Sequence, residues 1–169
     1  MITPIADLLC EEAVVSYLRE VARLSEGNYM TEDWVFPTQY HLLLSHGRRF
    51  TATPPPSDLV GMQDRYCYSN AAQYALEHRH TGLVYAEGYA LPYGVDFPLA
   101  HAWCVRPDGT VLDPTWDDAP GRAYVGVAIR DPQRWPRDGG GILQDPERGF
   151  PLLECGLPEG ALVTLGRSI

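Results

Sequence analysis

Three short stretches of this sequence carry side chains that together could open an acyl bond. They are Cys67-Tyr-Ser-Asn-Ala71, His101-Ala-Trp103 and Asp113-Pro-Thr-Trp116. The thiol is a nucleophile, the imidazole a general base, and the carboxylate can orient the imidazole. Cys67 falls where the pattern predicts a helix to begin. The free N–H groups and dipole of a helix start favour an anion, so a thiol there is biased toward thiolate. His101 begins a predicted strand and Asp113 ends its hairpin partner, with Pro107-Asp108-Gly109 as the turn. The two ends of such a hairpin lie side by side. Asp113 can then reach one ring nitrogen of His101 and leave the other facing the sulfur. Taken singly, a cysteine is core, a histidine is a satisfied polar group, and an Asp before Pro forms a turn. Their coincidence at a helix start and two neighbouring strand ends is what points to chemistry.

The elements that must position these residues follow from periodicity. Ile5, Leu8, Leu9, Ala13, Tyr17, Leu18, Val21 and Leu24 recur at helical spacing, which predicts an amphipathic helix from Pro4 to Leu24, stopped by Gly27-Asn28. A second helix is expected from Thr38, as cap, to His46, with Gly47 past its end. Thr51-Ala-Thr-Pro-Pro-Pro56 reads as loop. The helix carrying Cys67 is expected over about Tyr66 to Glu77. Strands are expected at Gly82–Leu91, Ala100–Arg106, Thr110–Asp113 and Ala123–Ile129, the middle ones forming a meander. The stretch from Asp131 to Gly160 is rich in Gly and Pro and reads as loops, with Gly139-Gly-Gly141 as a flexible loop or lid. Ala161–Leu165 fits a short strand or a short helix. The layout is α+β, with helices on one face of an antiparallel sheet. It reads as one domain over 1–169, with an N-terminal helical part (1–63), a core (64–130) and a loop-rich C-terminal part (131–169).

Composition narrows the chemistry. The chain has 169 residues and a net charge of −9, so phosphate backbones are repelled and nucleic acid is not the expected partner. All 13 basic residues are Arg, which excludes a Schiff-base or P-loop lysine. Cys10, Cys67, Cys104 and Cys155 form no CxxC pair, so neither a zinc ribbon nor a thioredoxin-type motif is present. His78 and His80 end a predicted helix, where they complement its dipole, and His41 and His46 do not share a helix face. No metal and no cofactor is expected. The acidic N-terminus lacks a basic, then apolar leader, and no stretch approaches a membrane span. The expected setting is a reducing cytoplasm with free thiols and no membrane partner.

Several further residues have two readings. Asn70, one turn after Cys67, either bonds a loop that holds the nucleophile or sits on a solvated face. Glu87, before Gly88, lies either at a bulged edge or near the cleft as a substrate-binding group. Trp103 shares the face of His101 and either walls the site or packs in the core. Cys104 falls on the opposite face and reads as core.

The run from Cys67 to Trp116 resembles the transglutaminase-like branch of the papain-like cysteine hydrolase superfamily, in its small bacterial and phage-type members. The matching stretches are Cys67–Ala71, Tyr85–Ala90, His101–Trp103 and Asp108–Trp116, within 50 of the 169 residues. The resemblance implies a core in which the helix bearing the nucleophile packs on an antiparallel sheet, here with extra N-terminal helices. It implies Cys67, His101 and Asp113 as the catalytic triad, and a thioester intermediate in peptidase, amidase, deamidase or transglutaminase-type chemistry. The substrate would be a protein, a peptide or a small amide. One oxyanion donor would be the Cys67 N–H; Gln63 is a candidate for the second, and Gln39 another. The alternative is an inactive member of the fold serving as a protein-binding or inhibitor module, a role that the acidic surface and the Pro/Gly-rich tail would suit.

Overall fold

A computed structural model describes residues 5–27 and 30–169. The first helix, α1, covers Ile5–Leu24; its expected start at Pro4 and stop at Asn28 fall outside the described residues. The helical period holds, but the buried face is turned. Glu11, Val14, Val15, Leu18 and Ala22 point inward, whereas Leu8, Leu9, Ala13 and Leu24 are exposed. Glu11 shares that buried face, paired with Arg167 and with Arg49 at 3.8 Å. Hydrophobicity alone cannot place a stripe that contains a paired carboxylate.

Helix α2 is Gln39–His46, and Gly47 closes it with an N–H bond to the Leu43 carbonyl at 2.7 Å. Thr38 precedes it but does not cap it through its side chain. Its hydroxyl pairs with His41 Nδ1 at 2.9 Å instead. Helix α3 is Cys67–Glu77, so the thiol sits on its first residue.

Among the described residues, seven short strands build the sheet: β1 (Arg48–Phe50), β2 (Val84–Leu91), β3 (Leu99–Val105), β4 (Val111–Leu112), β5 (Ala123–Ile129), β6 (Leu162–Val163) and β7 (Arg167–Ser168). Their order is β4-β3-β2-β5-β1-β7, with β6 also on β5, and every ladder is antiparallel. The meander stops at β4. Strand β5 does not extend it but pairs with β2 on the far side. The sheet curls until Thr51, just past β1, bridges to Thr110, just before β4. The Thr51 N–H bonds the Gly109 carbonyl at 3.1 Å, and the Val111 N–H bonds the Thr51 carbonyl at 2.9 Å.

Three elements were not expected from the sequence. Strands β1 and β7 begin with arginines, and helix α4 (Phe150–Cys155) lies in a stretch read as loop. It is only six residues long and buries Leu152 and Leu153 alone, too little for a period to register. The ambiguous segment Ala161–Leu165 contains strand β6.

The two faces of the curled sheet pack differently. The outer face carries the helices, and Val14, Leu18, Leu43, Ala75, Cys104 and Val125 meet there. The inner face holds Phe50, Trp103 and Tyr124 against small residues such as Ala86 and Ala90. Gly88 and Gly126 face each other across β2 and β5. A Cβ on Gly126 would lie 2.3 Å from the Glu87 carbonyl oxygen and 2.8 Å from Trp103 Cη2. Glycine at this crossing lets the sheet curl tightly around the indole. Among the described residues, no helix is long and apolar enough to cross a membrane.

Candidate active site

Cys67 and His101 reach one place from different elements. Helix α3 lies on the outer face of β3, tied to it by the Cys104 thiol, which donates to the Ala71 carbonyl at 3.2 Å. His101 projects from the inner face, two residues before Trp103. The two meet at the start of β3, because β4 pairs only with Cys104 and Val105 and leaves the edge beyond open. There a cleft of about 480 Å³ is lined by Asp64, Arg65, Cys67, Leu99, His101 and Trp116, among others.

The imidazole is fixed on several sides. His101 Nε2 bonds Asp113 Oδ2 at 2.7 Å, which leaves Nδ1 as the ring nitrogen available to the thiol. The indole of Trp116 stacks on it with centroids 3.7 Å apart and planes 9° from parallel. Burial pushes the His101 pKa down, but the Asp113 charge and hydrogen bond, followed by a hydrogen bond and charge from Cys67, raise it to about 9. The Asp113 carboxylate on one edge and the Trp116 ring face both favour the protonated imidazole.

Asp113 is fixed just as fully. Oδ1 accepts the Thr115 and Trp116 N–H groups at 3.0 and 3.1 Å, and Oδ2 also accepts the Tyr124 hydroxyl at 2.9 Å. Burial pushes its pKa up. The His101 charge and these hydrogen bonds outweigh that and hold it below the ordinary carboxylate value. The Tyr124 hydroxyl in turn accepts the Gly121 N–H at 2.7 Å. Burial, and then the Asp113 charge, put the Tyr124 pKa well above that of a free phenol, so it stays a donor.

Asn70 is buried one turn into α3. Its Nδ2 donates to the Gln63 carbonyl at 2.7 Å and to Thr115 Oγ1 at 3.0 Å. One amide thus links the segment before the nucleophile to the segment after the carboxylate, the two stretches that line the cleft on either side of Cys67 and His101. Gln63 contributes that carbonyl; its side chain is exposed and does not line the cleft. Gln39 donates to the Tyr89 hydroxyl at 3.0 Å, outside the cleft. Neither Gln63 nor Gln39 is among the residues that line the cleft.

Glu87 is neither at an edge nor in this cleft. It lies in central strand β2 in regular register, 2% exposed, on the outer face. It accepts the Tyr85 hydroxyl and the N–H groups of Ile142 and Leu143, at 2.8 and 2.5 Å. Its bonds hold the loop that follows Gly139-Gly-Gly141, and Gly141 rests against the Tyr68 ring, where a Cβ would lie 2.6 Å from Tyr68 Cε1. Trp103 is fully buried and packs edge-on to Phe50 and Tyr124. Trp116, not Trp103, walls the cleft.

His78 stacks on Tyr74 with centroids 4.1 Å apart. Among the described residues, no three His, Cys, Asp or Glu side chains converge as a metal site would require. All four cysteines are unpaired.

Sequence reasoning assigned no role to Trp116, Thr115 or Tyr124. The first two stand in the stretch that holds Asp113, and an Asp-Pro-Thr-Trp turn presents its N–H groups back to the Asp side chain, a signal local enough to read. Tyr124 gave only weak notice, as a polar-tipped aromatic on the inward face of a strand. Comparison of the chain with family models, with curated proteins and with solved structures finds no match. The site's geometry is therefore the ground for its chemistry.

Proposed function

We propose that this chain is a thiol-dependent hydrolase or acyl transferase acting on an amide bond, with a papain-like, transglutaminase-like core. The observation that carries the reading is the 2.7 Å bond between His101 Nε2 and Asp113, with Cys67 sharing the cleft on the other side of the ring.

The steps follow from that arrangement. The Cys67 thiolate attacks the carbonyl carbon, and the carbonyl π electrons move to oxygen. The N–H of Cys67, free at the helix start, faces the developing oxyanion. The intermediate collapses, the C–N bond breaks, and the leaving amine or ammonia takes the proton from His101 Nδ1. A thioester remains on Cys67. Water then gives a proton to the now neutral His101 and attacks the thioester, and collapse releases the acid and restores the Cys67 thiolate beside the protonated His101. An amine in place of water yields a new amide. Asp113 stays ionised throughout and holds the ring, and no cofactor enters. Proton transfer by the histidine contributes about 10²- to 10⁴-fold. A reducing, cytoplasmic setting suits a catalytic thiol that must stay free.

Limited treatment with iodoacetamide followed by peptide mapping tests the reading. Cys67 should label first, ahead of exposed Cys155. Equal rates at the two would sink the activated-thiol reading. A Cys67→Ala variant separates enzyme from binding module: it should lose all turnover on an amide, and a variant that keeps the full biological effect would favour the binder.

A further inference from the structure

We propose that Arg65 is a specificity-determining residue that recognises a carboxylate carried by the substrate close to the scissile amide. The inference rests on the reading of Cys67 as nucleophile. Arg65 lines the cleft, is exposed, and lies two residues before Cys67, so the two Cα atoms are at most about 7 Å apart. Among the described residues it is the one non-glycine with positive φ, at +69°. Glycine would adopt that backbone without strain. A long cationic residue held there, beside a reactive site, has to be accounted for by its side chain.

Its electrostatic surroundings give that account. In this acidic chain most arginines are engaged: Arg49 by Glu12, Arg148 by Asp138 and Asp145, Arg130 by backbone carbonyls. Arg65 forms no ion pair or hydrogen bond among the described residues, although Asp64 is its chain neighbour. Its guanidinium is therefore free to pair with an incoming anion, in a fork that suits a carboxylate. Asp113, the buried anion of the cleft, already has its partners. The substrate class that fits is an acidic amide, in which a carboxylate flanks the bond to be opened.

Two alkylating reagents of nearly the same shape read this out. Iodoacetate carries a carboxylate and iodoacetamide an amide; with each, the Cys67 thiolate forms an S–C bond and iodide leaves. The ratio of the iodoacetate to the iodoacetamide rate at Cys67 should fall about two- to fivefold in Arg65→Asn, which tolerates positive φ but has no charge. Arg65→Lys, which keeps the charge, should retain most of the ratio. Raising the salt concentration should shrink the wild-type ratio toward that of Arg65→Asn. An unchanged ratio in Arg65→Asn, or an equal fall in Arg65→Lys, overturns the inference while fast iodoacetamide labelling still supports the nucleophile. Labelling of Cys67 no faster than Cys155 by either reagent overturns both. Glutarate and the peptide acetyl-Glu-Gln-Glu-amide distinguish a small acid from an acidic polypeptide: whichever slows wild-type labelling identifies the source, and protection by neither counts against the assignment.

Discussion

Two buried carboxylates lie on opposite faces of the same sheet, Asp113 toward the inside of the curl and Glu87 toward the helices. Both are almost fully enclosed, 4% and 2% exposed. Each accepts two backbone N–H groups and one tyrosine hydroxyl: Thr115, Trp116 and Tyr124 around Asp113, and Ile142, Leu143 and Tyr85 around Glu87. Yet the Asp113 pKa is lowered and the Glu87 pKa is raised, burial being the largest influence on both. The difference is His101. The neutral donors around Glu87, even with the charge of Arg148, do not offset the loss of hydration, whereas an imidazole at 2.7 Å does. One carboxylate is kept ionised for a neighbour, and the other only braces a loop.

Removing the imidazole breaks the comparison most severely. His101→Ala leaves Asp113 charged and unpaired, and urea titration at pH 7 should show a loss of about 3–5 kcal/mol. In that variant Asp113 should come to resemble Glu87, with a raised pKa visible by carboxyl NMR; a value still below normal would refute the role given to His101.

Asp113→Asn takes away the largest influence that raises the His101 pKa. The alkaline limb of Cys67 alkylation, expected near pH 9 in the wild type, should move toward the ordinary histidine value near 6.5. At pH 8 the protonated fraction falls about 30-fold, and the imidazolium-dependent rate with it. An unmoved limb would assign it to another group.

Glu87 and Asp113 should also give opposite slopes of stability against pH. The raised Glu87 pKa means the folded state binds the extra proton, so stability declines as pH rises from 4.5 through its folded value. Asp113 behaves oppositely: its contribution is present above 3.8 and is lost as pH falls through its lowered value. His101 stabilises fully below 6.5, and that contribution disappears as pH rises through about 9. Glu87→Gln should abolish the acid-side decline, at most about 1.4 kcal/mol per pH unit, in unfolding curves between pH 4.5 and 7. An unchanged slope would contradict the assignment.

The smallest contrast lies between the two tyrosines. Tyr124→Phe and Tyr85→Phe each remove one neutral hydroxyl and should each cost about 1 kcal/mol. Only Tyr124→Phe should alter the pH profile of Cys67, and an equal change from Tyr85→Phe would erase the distinction between the two carboxylates.

Local pattern made much of this structure legible. The turn at Asp108-Gly109 sets the hairpin, and strand alternation sends Cys104 and His101 to opposite faces. The helix start places Cys67, and β5 falls on Ala123–Ile129 as expected. What stayed hidden depends on partners far along the chain. Glu11 on the buried face meets Arg49 and Arg167, which lie far along the chain. The backbone partners of Glu87 lie more than fifty residues downstream, and Tyr124 meets Asp113 only once β5 crosses to β2. Periodicity records which side of an element is apolar; it does not record which polar groups will be brought together by topology.

The strand order also has a consequence for synthesis. Strand β1 leaves the ribosome early, but its lateral neighbours β5 and β7 are both encoded far downstream. At about 5–20 residues per second, β1 waits roughly 4–15 s for β5. During that wait it is an unpaired edge, open to pairing with another nascent chain. Its first two residues are Arg48 and Arg49, and like charges on neighbouring copies repel. The pair that made β1 hard to recognise as a strand also keeps it from finding the wrong partner.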